Sequence, residues 1–132
     1  MSIIVKRDRT GKMRHQVRIG DHTLIVDEPP QHGGEASGPT PHDLYDAALA
    51  SCKALTMLWY AQRECIALED VEVRIERNAS QERQGSYCLR AAIAVSGDLS
   101  EAQREKLLAV ASRSPVHKLM SRATTEIETV WL

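Results

Sequence analysis

Phenylalanine is absent, and the aromatic residues are only Tyr45, Trp59, Tyr60, Tyr87 and Trp131. A core must therefore be built mainly from aliphatic and small side chains. No apolar run approaches the roughly 18 residues of a membrane span. The N-terminus carries no signal-peptide pattern, so the expected location is the cytoplasm. Charge of one sign is lacking too: 17 Lys and Arg oppose 18 Asp and Glu, a net charge of −1. That balance excludes a strong counter-ion-driven grip on nucleic acid or on an anionic membrane. The densest basic stretch, Lys6-Arg7-Asp8-Arg9 with Lys12 and Arg14, is interrupted by acid and has no interleaved aromatics, and it reads as a solvated edge. The three cysteines, at 52, 65 and 88, contain no C-x-x-C and do not form a disulfide framework. The five histidines (15, 22, 32, 42 and 117) show no ligand spacing, so neither a metal nor another cofactor is expected.

What is present fits one domain over residues 1–132, long enough to bury roughly two thirds of its unfolded surface. From Met13 to Ile19 apolar and charged residues alternate, the two-residue period of a strand. Gly20-Asp21 makes a hairpin turn, and His22 to Asp27 returns as a second strand. Pro29-Pro30 ends the sheet, and a Gly-rich loop follows over residues 33–38. Thr40 as N-cap, Pro41 as first helical residue and Asp43 in the first turn then mark a helix running to about Glu64. Its first eighteen positions are apolar or small almost all round, which predicts burial in the domain centre or across a subunit boundary. Val71 to Glu76 and Tyr87 to Val95 alternate as strands around a polar loop, Asn78 to Ser86. Ser100 with Gln103 forms a capping box for a helix to about Arg113. Ser114 reads as the N-cap of a short helix starting at Pro115 and ending near Arg122, and Ile127, Thr129 and Trp131 close the chain as a strand. The order β-β-α-β-β-α-α-β predicts an α+β fold with a largely antiparallel sheet around a long buried central helix.

Cys52 is the candidate for chemistry. At 100° per residue, Tyr45, Ala48, Leu55, Thr56 and Trp59 share its stripe of the helix, leaving room for a pocket. The competing reading is a packed, inert thiol, because unpaired cysteine is among the most buried residue types. Reactivity requires a cation or a helix N-terminus nearby. Cys52 lies some twelve residues beyond its own cap, so a cation must come from elsewhere, and Arg14 and Arg18 on the polar strand face are the candidates.

The run Asp27-Glu28-Pro29, Gly33-Gly34, Ser37-Gly38-Pro39-Thr40-Pro41-His42-Asp43-Leu44 and Ala48-Leu49-Ala50-Ser51-Cys52 through Thr56 and Tyr60-Ala61 resembles the OsmC/Ohr family. So do Gly97-Asp98-Leu99-Ser100 and Pro115-Val116-His117-Lys118, in the same order and spacing, from about Gln16 to Trp131. The likeness is greatest to an OsmC-like branch with a Gly-Pro-x-Pro-His-Asp-Leu motif. It implies an intertwined homodimer with active sites at the subunit boundary. It also implies a peroxidatic thiolate that reduces hydroperoxides, a resolving cysteine, and an external dithiol as reductant.

Carried onto this chain, the resemblance makes Cys52 the peroxidatic cysteine and Arg18, then Arg14, the residue that stabilises its thiolate. His42 stands where the family has a Glu, and His117 reads as structural. Ser114 occupies the place of the missing resolving cysteine, so a two-cysteine cycle between 52 and 114 is excluded. Cys65, about 13 residues or ~20 Å along the helix, and Cys88 are poor substitutes. His42, Tyr45, Thr56 and Trp59 are the expected pocket residues. The expected function is a stress-response thiol peroxidase with a one-cysteine site. The alternative is a non-catalytic dimer that binds a small apolar or thiol ligand. A hydrolase using Ser114 lacks a visible His/Asp relay.

Overall fold

The structure, a computed structural model, describes residues 1–132 and divides into two compact units, Met1–Tyr45 and Asp46–Leu132. Three antiparallel strands make the first unit: β1 (Ile3–Arg7), β2 (His15–Ile19) and β3 (His22–Val26), in that order across the sheet. β1 was not expected. Its residues are exposed, so no burial pattern betrays it, yet its backbone pairs with β2 from Ile3 opposite Ile19 to Arg7 opposite His15. The basic stretch around Lys6 and Arg7 is thus the end of an edge strand. The β2–β3 hairpin pairs Val17 with Leu24, and Gly20 takes the left-handed conformation (φ 59°) that its two-residue turn demands.

After β3 the chain is gathered around one carboxylate. Asp27, 2% exposed, accepts from the Glu28 N–H (2.8 Å), the Ser37 N–H (3.0 Å), the Ser37 hydroxyl (2.5 Å) and the Glu35 N–H (3.4 Å). Gly34 lies so close to the Glu28 carbonyl that a Cβ would stand 1.9 Å from its oxygen, so no other residue fits there. The Ser37 hydrogen bonds hold the Asp27 carboxyl down to about 2, from an ordinary 3.8. Because the folded value lies below the unfolded one, this stabilisation is present above about pH 4 and is lost as pH falls toward 2. Melting temperature should therefore drop between those two values in the wild type. In Asp27→Asn the drop should be shallower, from a lower starting point.

The central helix α1 (Pro41–Arg63) starts as its sequence demands: the Asp43 N–H donates to Thr40 Oγ1 at 3.1 Å and Asp43 Oδ2 accepts the Thr40 N–H at 2.9 Å. The second unit adds β4 (Leu68–Asn78), β5 (Cys88–Gly97), α2 (Glu101–Ala111) and α3 (Pro115–Ser121). β4 and β5 are antiparallel, so the fold is α+β with every strand pairing antiparallel, as expected. The Ser100–Gln103 capping box starts α2 with both of its hydrogen bonds made. The core of this unit is Met57, Ala61, Leu107 and Ala111, all 2% exposed or less. α1 ends with Cys65 in a left-handed conformation (φ 53°), and the Ile66 N–H bonds back to the Ala61 carbonyl (2.8 Å), folding Ile66 onto the core.

One expectation is corrected here. Residues 124–132 form neither helix nor strand, although Ile127, Thr129 and Trp131 alternate, because no strand edge of the chain pairs with them. α1, expected to be buried in the domain centre or across a subunit boundary, is only partly covered by its own chain. Within the chain it buries one stripe, and Leu55 and Trp59 stay 66% and 57% exposed. That stripe is Asp46, Leu49, Lys53, Met57 and Ala61, so a helix that looked apolar turns two charged side chains inward.

Candidate functional site

Cys52 sits half-buried on α1. One turn on, the Thr56 hydroxyl donates to the Cys52 carbonyl (2.6 Å), which brings its oxygen to 3.9 Å from Sγ. From across the unit the Val116 backbone N–H points at the sulfur, N to Sγ 3.5 Å. This amide is the second of α3, the position an N-cap hydroxyl ordinarily serves. Ser114 has the backbone of an N-cap (φ −61°, ψ 150°), but its side chain makes no capping hydrogen bond. The capping role expected for its hydroxyl is therefore not met, because the amide it would serve is turned to Cys52. The Ser114 hydroxyl is fully buried and has no hydrogen-bond partner.

Beside Cys52, Lys53 is only 5% exposed. Its ammonium donates to the Ala111 carbonyl (2.8 Å) and lies 2.9 Å from His117 Nδ1. Burial pushes the Lys53 pKa down, and the negative charge available at Cys52 opposes that shift. His117 is likewise pushed down, first by burial and then by the positive charges of Lys53 and Arg122, so its ring is neutral with Nδ1 as acceptor. The segment from Ala111 to His117 thus holds both the thiol and its neighbouring ammonium.

The other expected site residues are placed as follows. His42 is exposed in the first turn of α1, and Tyr45 is 47% exposed. Trp59 carries the Arg63 guanidinium over its ring at 5.0 Å. Arg14 and Arg18 both lie in the first unit. Arg14 is engaged there by Asp8 (Nε to Oδ2 2.8 Å), whose carboxyl is held well below the usual range by Thr10 and Arg14. Arg18 is exposed on β2, opposite Ile4 and Thr23. Cys65 and Cys88 are exposed, unbridged thiols. No group of three His, Cys, Asp or Glu is placed to share a metal ion, and no helix is long and apolar enough to cross a membrane.

Sequence reasoning passed over Lys53, and it gave His117 a structural role with no partner. The signal for Lys53 was there: Leu49, Lys53 and Met57 repeat at four residues, so the lysine shares a stripe with core residues.

Comparison with known proteins bears on the fold and the family. A family model described as OsmC-like protein matches residues 33–130. No curated protein sequence matches the chain. Among solved structures, the OsmC-like protein of Mycoplasma pneumoniae is similar at a TM-score of 0.75 and 17% identity, over 92% of this chain and 86% of that one. The organic hydroperoxide resistance protein OsmC of Legionella pneumophila is similar at a TM-score of 0.63 and 24% identity, over 92% and 90%. The organic hydroperoxide resistance protein OhrB of Bacillus subtilis is similar at 0.60 and 18%, again over 92% and 90%.

Proposed function

The chain belongs to the OsmC-like protein family, and from that premise we propose that it reduces organic hydroperoxides with a single cysteine, Cys52, and an external dithiol. The observation that carries the reading is the Val116 N–H directed at Cys52 Sγ from 3.5 Å, a donor aimed where a thiolate would carry its charge. The Cys52 thiolate attacks one oxygen of the hydroperoxide. The O–O bond breaks, Cys52 becomes a sulfenic acid, and the alkoxide takes a proton and leaves as the alcohol. With a hydroxyl at 114, no second thiol of the chain stands at the family's resolving position. One thiol of the external dithiol therefore condenses with the sulfenic acid, releasing water and forming a mixed disulfide. The second thiol displaces Cys52 and leaves the reductant oxidised. The family likeness puts a guanidinium, Arg18 or else Arg14, at this site, with His42, Tyr45, Thr56 and Trp59 as pocket residues.

The working unit is a homodimer, active in the cytoplasm. Support comes from Leu55, Trp59 and Trp131, at 66%, 57% and 99% exposed, which leave apolar surface uncovered in one copy. The test is consumption of an alkyl hydroperoxide with excess dithiol, compared with Cys52→Ser. Turnover that disappears in the variant is the expected result. Absence of turnover in both proteins, with Cys52 slow toward thiol reagents in the folded state, would overturn it. A second reading would then stand: a dimer that binds a small apolar or thiol ligand against surfaces such as exposed Leu55 and Trp59.

A further inference from the structure

A lysine ammonium that is nearly fully buried loses its water and needs an anion or several acceptors in exchange. Lys53 finds two acceptors, the Ala111 carbonyl at 2.8 Å and His117 Nδ1 at 2.9 Å, and both are uncharged. An ammonium has three donors, so one lies outside these contacts. The charged groups around the pair can be named. On α1, Asp46 lies two turns before Lys53, but its carboxylate is engaged by Arg77 (2.5 Å) and the Tyr87 hydroxyl (2.7 Å). On the facing segment, His117 is neutral and Arg122 beyond it is positive. No carboxylate is among the ammonium's contacts, and the residue before it on α1 is Cys52, whose sulfur meets the same facing segment through the Val116 N–H.

We propose that Lys53 is the residue that stabilises the Cys52 thiolate, with its ammonium positioned by Ala111 and His117, so that the cation sought among the strand arginines comes from the same helix as the thiol. The geometry makes one clamp of the segment from Ala111 to His117. Its Val116 amide meets the sulfur at 3.5 Å, and its Ala111 carbonyl and His117 ring hold the ammonium. His117 is a positioning residue here, since it acts on the thiol only through Lys53. A carbonyl and a neutral imidazole orient the ammonium without cancelling its charge. A carboxylate in either place would have neutralised it.

The inference rests on Cys52 being the reacting thiol, but its test reads ionisation and not turnover, so either can fail alone. The measurement is the pH profile of Cys52 alkylation by iodoacetamide in the intact protein. Lys53→Met is expected to slow alkylation at pH 7 about tenfold and to move the profile to higher pH. Lys53→Arg should recover most of the rate, because the charge is restored. Profiles that superimpose for wild type and Lys53→Met overturn the proposal, as does a profile that moves with Arg18→Ala but not with Lys53→Met. Should Lys53→Met not fold, the same coupling is read from the other side. The Lys53 ammonium, followed by NMR, should titrate at lower pH in Cys52→Ser than in the wild type, since coupling between two sites is reciprocal. An unchanged Lys53 titration overturns the proposal equally.

Discussion

Peroxide treatment of the Ser114→Cys variant is expected to end in a disulfide, where the wild type ends in a sulfenic acid at Cys52. The Val116 N–H, two residues beyond Ser114, already meets Cys52 Sγ, so the 114 side chain starts from the turn that touches the thiol. The Ser114 hydroxyl is fully buried without a partner, a cost of about 1–3 kcal/mol for a polar group. A thiol is a weaker donor and behaves more like a small hydrophobe, so the exchange removes much of that cost. Last comes chemistry: a sulfenic acid beside a thiol condenses to a disulfide with loss of water. With one equivalent of alkyl hydroperoxide, dimedone labelling of Cys52 should be strong in the wild type. In the variant it should fall about tenfold or more, replaced by an intramolecular disulfide seen by mass spectrometry. Equal labelling of the two proteins would show that position 114 does not reach the sulfur.

Asp46→Ala should lower stability by about 1.5–3 kcal/mol, the range for losing hydrogen bonds to a charged group, because Asp46 is buried but the Arg77 side chain is 35% exposed. Asp46 is 5% exposed and accepts from Arg77 Nε at 2.5 Å and from the Tyr87 hydroxyl at 2.7 Å. Burial, reinforced by the neighbouring Asp46 carboxylate, pushes the Tyr87 hydroxyl up to about 12, so it stays protonated and donates throughout the neutral range. Removing the carboxylate takes the shared acceptor from two donors that arrive from β4 and from the loop before β5. Tyr87→Phe removes a single hydrogen bond and should cost about 1 kcal/mol. Urea unfolding monitored by circular dichroism gives both numbers. A loss below about 1 kcal/mol for Asp46→Ala would mean that the three groups are hydrated in solution.

The elements legible in the sequence are those whose causes are local. The β2–β3 hairpin announces itself by alternation and by Gly20, α1 by Thr40 and Asp43, and α2 by Ser100 and Gln103. β1 is different: all five of its residues are exposed, and only its pairing to β2 makes it a strand. The terminal alternation through Ile127 and Trp131 errs the other way, with the pattern present and no strand of the chain paired to it. At the site, Cys52 stands out by its stripe on α1, and Ser114 by a family likeness that marks its position. The roles of Lys53 and His117 could not be, because they depend on a contact between residues 64 apart in the sequence. Reading α1 as apolar all round hid the lysine among its neighbours. Ser114 carries a cap signal, and only the fold shows that the amide it would serve, that of Val116, is directed at Cys52.

The buried stripe of α1 carries Asp46 and Lys53, seven residues and about 10.5 Å apart along the axis. Leucine, methionine and alanine alone would let the helix slide by a turn against its neighbours at little cost, since one apolar surface packs much like the next. Two opposite charges, each fitted to its own partners, act like the teeth of a key: Asp46 engages Arg77 and Tyr87, and Lys53 engages Ala111 and His117. A slip of one turn would strand both at once. The axial register of the helix is therefore set electrostatically, and with it the alignment of Cys52 against Val116, by side chains of which one never comes near the thiol.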